Sequence, residues 1–202
     1  MKKMVLVCAS AVLAGTLLSG CGWFSKANGI ILYGDEPQIE EALKLEEDGL
    51  IGEKDEKIKM IEGDHYNLKL VEDEGERVMV LNEETAKAIA DKELLREVTE
   101  GTKTKPVSDV PNLSKGEAVL YAKSEQDKLN LEGNELQAEY GGNWIIGDGR
   151  AYVDKFLIVD DSDWTDISGE EKTMAIMEYD KDPSIRLSDF EMEGSQLVKI
   201  EG

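Results

Sequence analysis

The chain has 202 residues, with 23 basic against 44 acidic side chains, a formal net charge of −21, two cysteines and one histidine. A field of that sign repels nucleic acid and anionic lipid headgroups, which sets nucleic-acid binding aside as a function. The inventory also excludes histidine-pair and multi-cysteine metal centres, and a chain of this length buries roughly 70% of its unfolded surface, so its core needs no staples.

The first element is an export signal. Lys2 and Lys3 precede a nearly unbroken apolar run from Val5 to Leu18, closed by Leu18-Ser19-Gly20-Cys21. As a helix that run rises only about 21 Å, short of the roughly 20 residues that span a bilayer, so a transmembrane reading is weak. The closing tetrapeptide resembles the lipobox of bacterial lipoproteins, in which an aliphatic residue and two small ones precede a cysteine; all four positions match. The resemblance implies removal of residues 1–20, cleavage before Cys21 and acylation of the Cys21 sulfur. The competing reading is an ordinary secretory signal with an incidental cysteine, and the flanking pattern favours the lipobox. Cys8 would leave with the signal, so the mature chain would have no internal disulfide and no thiolate chemistry, and it would be two charges more negative.

Residues 21–28 would then be a lipid-anchored tether, whose seven residues Gly22 to Asn28 reach at most about 25 Å. Trp23 and Phe24 read either as rings seated at the membrane interface or as the start of a flexible linker. Two or more acyl chains on Cys21 would give the stable anchorage that one chain does not. The expected location is the extracytoplasmic face of a cell membrane.

Residues 29–202 read as one α+β domain of mainly antiparallel sheet covered by two helices. Ile30–Tyr33 is an apolar strand. Gly34-Asp35-Glu36-Pro37 then opens a helix over about 36–48, with Ile39, Ala42 and Leu43 on its apolar face and Gly49 ending it. Alternation predicts strands over 57–61 and 66–71, with Gly63-Asp64-His65-Tyr66 as a turn between them, and Gly75 turns the chain into a strand over 77–81. Asn82 caps a helix read as running to about residue 100, its face formed by Ala86, Ile89, Ala90, Leu94 and Val98. The loop composition of 101–112 marks the best internal boundary. Strands follow at 118–122, 129–131, 136–140, 144–146, 152–159, 173–179 and 197–200.

Candidate chemistry is sparse. His65, the one histidine, reads as a surface turn residue, and no nucleophile-elbow glycine pattern occurs. Gly141-Gly142 and Gly147-Asp148-Gly149 lie between strands and read as hairpin turns rather than phosphate loops. Carboxylate pairs abound, but glycosidase-type work needs two of them facing across a cleft. In Asp160-Asp161-Ser162-Asp163-Trp164-Thr165-Asp166, the alternate oxygens of Asp161, Asp163 and Thr165 resemble the opening of an EF-hand calcium loop. The pattern then departs, with Asp166 where that loop has glycine and Lys172 where it has glutamate. A solvated turn is the favoured reading, with weak cation binding the alternative. No cofactor is expected.

The order of elements from Arg77 to Thr165 resembles the extracytoplasmic domain of macrolide-exporter-type ABC permeases. A strand delivers the chain to an Asn82-capped helix beginning Glu83-Glu84, Leu113-Ser114-Lys115-Gly116-Glu117 forms a glycine-bearing turn, and Phe156–Val159 ends at an acidic turn. The resemblance covers under half of the mature chain and implies a non-enzymatic role; this chain differs in having no spanning helices. In size and lipobox the chain also resembles small uncharacterised lipoproteins of Gram-positive bacteria. Three functions compete: a binding or accessory protein for a membrane partner such as an ABC permease, a solute- or cation-binding receptor, and a carboxylate-dependent hydrolase. The first is favoured.

Two tests follow from the sequence. Cys21→Ser should leave the chain uncleaved or release it to the soluble fraction; a correctly cleaved variant with unchanged detergent partition would defeat the lipobox reading. Divalent cations should stabilise the domain by screening its charge, so calcium, magnesium and sodium chloride at matched ionic strength should give equal thermal shifts. A shift at micromolar calcium that salt cannot reproduce would place a specific site at Asp161 and Asp163.

Overall fold

The computed structural model describes residues 26–49, 58–131 and 134–201. The export signal, Cys21, Trp23, Phe24 and Lys57 lie outside the described residues. Strand outweighs helix, 44% to 19%, which makes this a mostly β fold with few helices.

The first strand, β1 (Gly29–Gly34), is buried along its whole length and leads into α1 (Glu36–Glu47). The Gln38 side chain accepts from the Asp35 N–H at 3.2 Å, Pro37 pre-sets the first turn, and Gly49, at φ +66°, ends the helix. Next comes the longest strand, β2 (Met60–Asp73), joined to β3 (Glu76–Asn82) by Glu74-Gly75. Both turn residues have positive φ, 53° and 86°, the geometry whose twist matches a two-residue hairpin. Asn82 accepts from the Thr85 N–H at 3.0 Å and so caps α2 (Glu83–Asp91). Then follow β4 (Leu95–Val98), β5 (Thr104–Pro106), β6 (Ala118–Tyr121), β7 (Lys128–Leu131), β8 (Asn134–Gln137), β9 (Glu139–Gly142), β10 (Trp144–Ile146), β11 (Lys155–Val159), the single turn α3 (Asp161–Trp164), β12 (Glu170–Tyr179), a 3-10 turn over Ser184–Asp189 and β13 (Gly194–Val198).

Eight strands form one sheet in the order β13-β1-β12-β2-β3-β11-β6-β9. Its spine is the antiparallel ladder of β2 with β12, from Glu170 opposite Leu70 to Tyr179 opposite Met60. Two neighbour pairs, β3 with β11 and β6 with β9, are parallel. Because side chains alternate across the pleat, each apolar strand feeds both faces. One face carries Ile31, Leu68, Met79, Leu81, Phe156 and Ile176 beneath α2, β4 and β10. On the other face, Ile30, Leu32, Ala175 and Met177 pack on Ile39, Ala42 and Leu43 of α1, and farther along Val78, Val80, Leu120 and Leu157 lie under the β7–β8 hairpin.

Several expectations need correction. The second helix stops at Asp91 instead of reaching residue 100: Glu93 takes φ +55°, the Leu94 N–H returns to the Ile89 carbonyl at 3.1 Å, and residues 95–98 pair with β5 and β10. Leu94 and Val98 keep helical spacing, yet Val98 lies on β4 and Leu94 just before it. Residues 63–66 form no turn; they run through the middle of β2, held straight by residues 174–177 of β12. The strand read over 136–140 divides at Ala138 into β8 and β9, which join different sheets. Within 101–112, residues 104–106 form β5.

The far end of the β2–β3 hairpin holds a buried ion pair. Asp73 and Lys155 are 2% and 3% exposed; Lys155 Nζ reaches Asp73 Oδ2 at 2.5 Å and Glu76 at 2.8 Å, and Asp73 also accepts from the Asn130 N–H and the Gln126 amide. Burial pushes the Asp73 carboxyl up, but the Lys155, Asn130 and Gln126 donors together outweigh it and hold the group below the usual carboxylate range. A depressed folded value means that the pair stabilises fully above the ordinary carboxylate pKa of about 3.9 and fades as pH falls through the folded value. Asp73→Ala leaves Lys155 buried without its main partner, so urea denaturation at neutral pH should show a loss of about 3–5 kcal/mol. A loss under about 1 kcal/mol would mean that water or Glu76 compensates.

Candidate functional site

The acidic segment is built by α3. Asp160 caps that turn, accepting from the Ser162 N–H at 2.9 Å and from the Ser162 hydroxyl, and these two donors hold its carboxyl below the ordinary range. Asp161 Oδ1 accepts from the Glu84 N–H of α2 at 3.2 Å, Asp163 Oδ2 accepts from the Gly116 N–H, and the Thr165 hydroxyl donates to the Ser162 carbonyl at 3.2 Å. The three side chains of the calcium-loop pattern therefore address three different protein groups from a helical turn. Among the described residues, no three His, Cys, Asp or Glu side chains gather as metal ligands. His65 lies on β2 opposite Ala175, exposed.

Folding brings the two ends of the segment from Arg77 to Thr165 together. Strands β3 and β11 run parallel with Val159 beside Asn82, so α2 and α3 start side by side. Glu83 anchors the intervening loop, accepting from the Leu113 N–H at 2.7 Å, and Glu117 does the same for the Ser114 N–H at 2.8 Å. The result is a surface rich in carboxylates, with Glu84, Glu117, Asp161 and Asp166 exposed. Strand β3 opposes β2, and β1 and β2 start toward the same end because both oppose β12. By register Asn82 and Val159 are level with Asn67, Thr173 and Gly34, so the acidic surface starts level with the last residue of β1.

A second feature lies on the α2 face of the sheet. A cavity of about 90 Å3, several times the ~10–15 Å3 that one water needs, is lined by Tyr33, Met79, Ile146, Arg150, Tyr152 and Phe156, among others. Tyr33 and Tyr152 stack at 4.2 Å between centroids, with the Arg77 guanidinium 5.4 Å from the Tyr152 ring centre. Gln196 donates to the Tyr33 hydroxyl at 3.0 Å and accepts from the Asp148 N–H at 3.1 Å. Burial pushes both phenols far up, so they are neutral donors at any ordinary pH. Glycine is required beside this wall: a Cβ on Gly194 would meet the Tyr152 ring at 2.6 Å. Arg150 donates from Nη2 to the Trp144 carbonyl at 2.6 Å, while its enclosed Nε has no hydrogen-bond partner among the described residues. Burial lowers its pKa below the ordinary arginine value.

Beside the stack, Lys172 joins Asp35 at 2.8 Å, Glu170 at 2.9 Å and Glu193, and Tyr152 donates to Glu193 at 3.1 Å. The hydrogen bond to Asp35, then that to Glu193, raises the Lys172 pKa well above normal. Lys69, 5% exposed, donates to the Trp164 and Ile167 carbonyls at 2.9 and 2.7 Å and sits 4.4 Å from the Trp164 ring centre, pinning α3 to the sheet. Sequence reasoning missed the cavity because its walls come from β1, β3, β10, β11, β13 and the loop between β10 and β11. The glycines flanking Asp148 and the tyrosines of β1 and that loop were the available signal.

No helix among the described residues is long and apolar enough to cross a membrane. No curated protein matches the chain. Among solved structures it is similar to a chain from Bacillus anthracis described as a lipoprotein, determined by crystallography at 1.5 Å, with 24% identity and a TM-score of 0.74 over 87% of this chain and 100% of that one. That likeness is one of fold. A family model described as an uncharacterised lipoprotein family matches residues 27–201, and the protein belongs to that family.

Proposed function

We propose that this lipoprotein is anchored through acylated Cys21 at the extracytoplasmic face of the cell membrane and works as a non-enzymatic accessory protein that contacts a membrane protein. The observation that carries the reading is the placement of charge. The carboxylates around α2 and α3 form one exposed surface, on a domain whose first strand follows only a short tether from Cys21. An acidic surface held near the bilayer is repelled by anionic headgroups and attracted to a basic patch on a neighbouring protein. The tether raises the effective concentration of such a neighbour toward the millimolar range, so a weak contact is populated.

The permease-like order of elements from Arg77 to Thr165 points to an ABC permease as the partner class. In the fold that order becomes a unit in which β3–α2 and β11–α3 pack side by side, joined by the bond from the Glu84 N–H to Asp161. Where the acidic side chains do bond within the protein, they hold backbone N–H groups of neighbouring loops, an arrangement suited to presenting a rigid surface.

Crosslinking in intact cells followed by mass spectrometry tests the reading. The expected result is enrichment of one membrane protein with a basic extracytoplasmic face, weakened by added salt and by lengthening the tether by some twenty flexible residues. Recovery of bulk membrane proteins alone, indifferent to tether length, would sink it.

A further inference from the structure

We infer that the cavity walled by Tyr33, Tyr152 and Phe156 is a binding site for a small planar molecule that offers a carboxylate or amide oxygen to Arg150. This goes beyond the docking role and stands independently of it, since the cavity shares no lining residue with the acidic surface.

Arg150 is the group that carries the inference. The chain has about two acidic residues for every basic one, and several of its buried or half-buried cations are well supplied, while Arg186, buried with one carbonyl partner, does not line this cavity. Lys92 has two carboxylate partners, Lys155 two and Lys172 three. Lys69, without one, has two carbonyls and an aromatic face. Arg150 lines the cavity with one carbonyl partner for its five donors, and burial already lowers its pKa. A guanidinium has five donors in a planar fork and matches a carboxylate or amide oxygen well. Leaving it under-bonded in a chain so rich in carboxylates is consistent with an acceptor supplied from outside.

The rest of the lining sets the class of ligand. Its walls are apolar or aromatic, which suits a flat unsaturated body. The neighbouring polar groups are already engaged: Gln196 with Tyr33, the Ile146 carbonyl and Asp148, and Tyr152 with Glu193. Lys155, which also lines the cavity, is held by Asp73, Glu76 and Gln126, so Arg150 is the charged handle that remains. The volume of about 90 Å3 suits a body about the size of a single ring. The wall is preformed, because Gly194 and the Tyr33–Tyr152 stack fix the Tyr152 ring, so binding carries little ordering cost.

Calorimetric titration of the full lipidated protein in nanodiscs tests this, with benzoate, benzamide and aniline as probes and empty nanodiscs as the blank. Benzoate or benzamide should bind saturably at one site, with aniline, a ring without the acceptor oxygen, at least about tenfold weaker. Preference for benzoate would identify the natural ligand as an anion, and preference for benzamide as a neutral carbonyl compound. Arg150→Gln should weaken the oxygen-bearing probe about tenfold or more. If that variant loses cooperative unfolding, Gly149→Leu replaces it: the position lines the cavity, and an added Cβ there meets no atom within 4 Å. It should fold and abolish binding. Absence of saturable binding at millimolar probe, or unchanged affinity in the folded variant, would overturn the inference.

Discussion

The ladder between β2 and β12 is the constraint on which the rest of the molecule depends. It is the longest pairing in the sheet, it sits centrally, and it sets the phase of every strand beside it. A slip of one residue would send Met174 and Ile176 to the α1 face and Ala175 and Met177 to the α2 face, leaving both layers of covering structure against the wrong side chains. The same ladder holds residues 63–66 extended although their composition favours a turn.

Charge follows a simple division. The excess carboxylates are mostly on the surface, whereas Lys69, Lys155 and Lys172 are nearly enclosed, each at a junction between elements. Lys155 ties β11 to the β2–β3 hairpin, Lys172 ties β12 to the segments before α1 and β13, and Lys69 ties β2 to α3. An acidic chain that places cations inside keeps them next to partners in a medium of low dielectric, where pairing is strong and a lost partner is costly. These lysines act as joints of the fold.

Much of the architecture could be read from residue pattern. The apolar runs of β1, β3, β6 and β11 are visible because strands buried on both faces need no alternation, and the caps of α1 and α2 are visible because Asp35 and Asn82 each precede a run with helical spacing. The end of α2 was hidden: Leu94 and Val98 continue its apolar stripe, and only pairing with β10 and β5 makes residues 95–98 a strand. The continuity of β2 was hidden for the same reason, since the deciding partner lies more than a hundred residues away. Of the functional features, the lipobox is local and therefore legible. The calcium-like spacing of Asp161, Asp163 and Thr165 is legible too, but a helical turn directs those side chains to protein donors. Arg150 had no signal of its own, because its lack of a counter-ion is a property of the fold.

Strand β1 pairs with β12 and β13 alone, and those strands occupy the final portion of the chain. A polypeptide synthesised from its N-terminus therefore presents Ile30-Ile31-Leu32-Tyr33 to its surroundings long before either neighbour has emerged, and the loop that must close to pair them is nearly the whole domain. Closing it is entropically slow and leaves the apolar segment exposed in the interval. The sheet is completed from its last strands, so the first strand made is the last to be secured, and loss of the C-terminal strands would strip β1 of both partners at once.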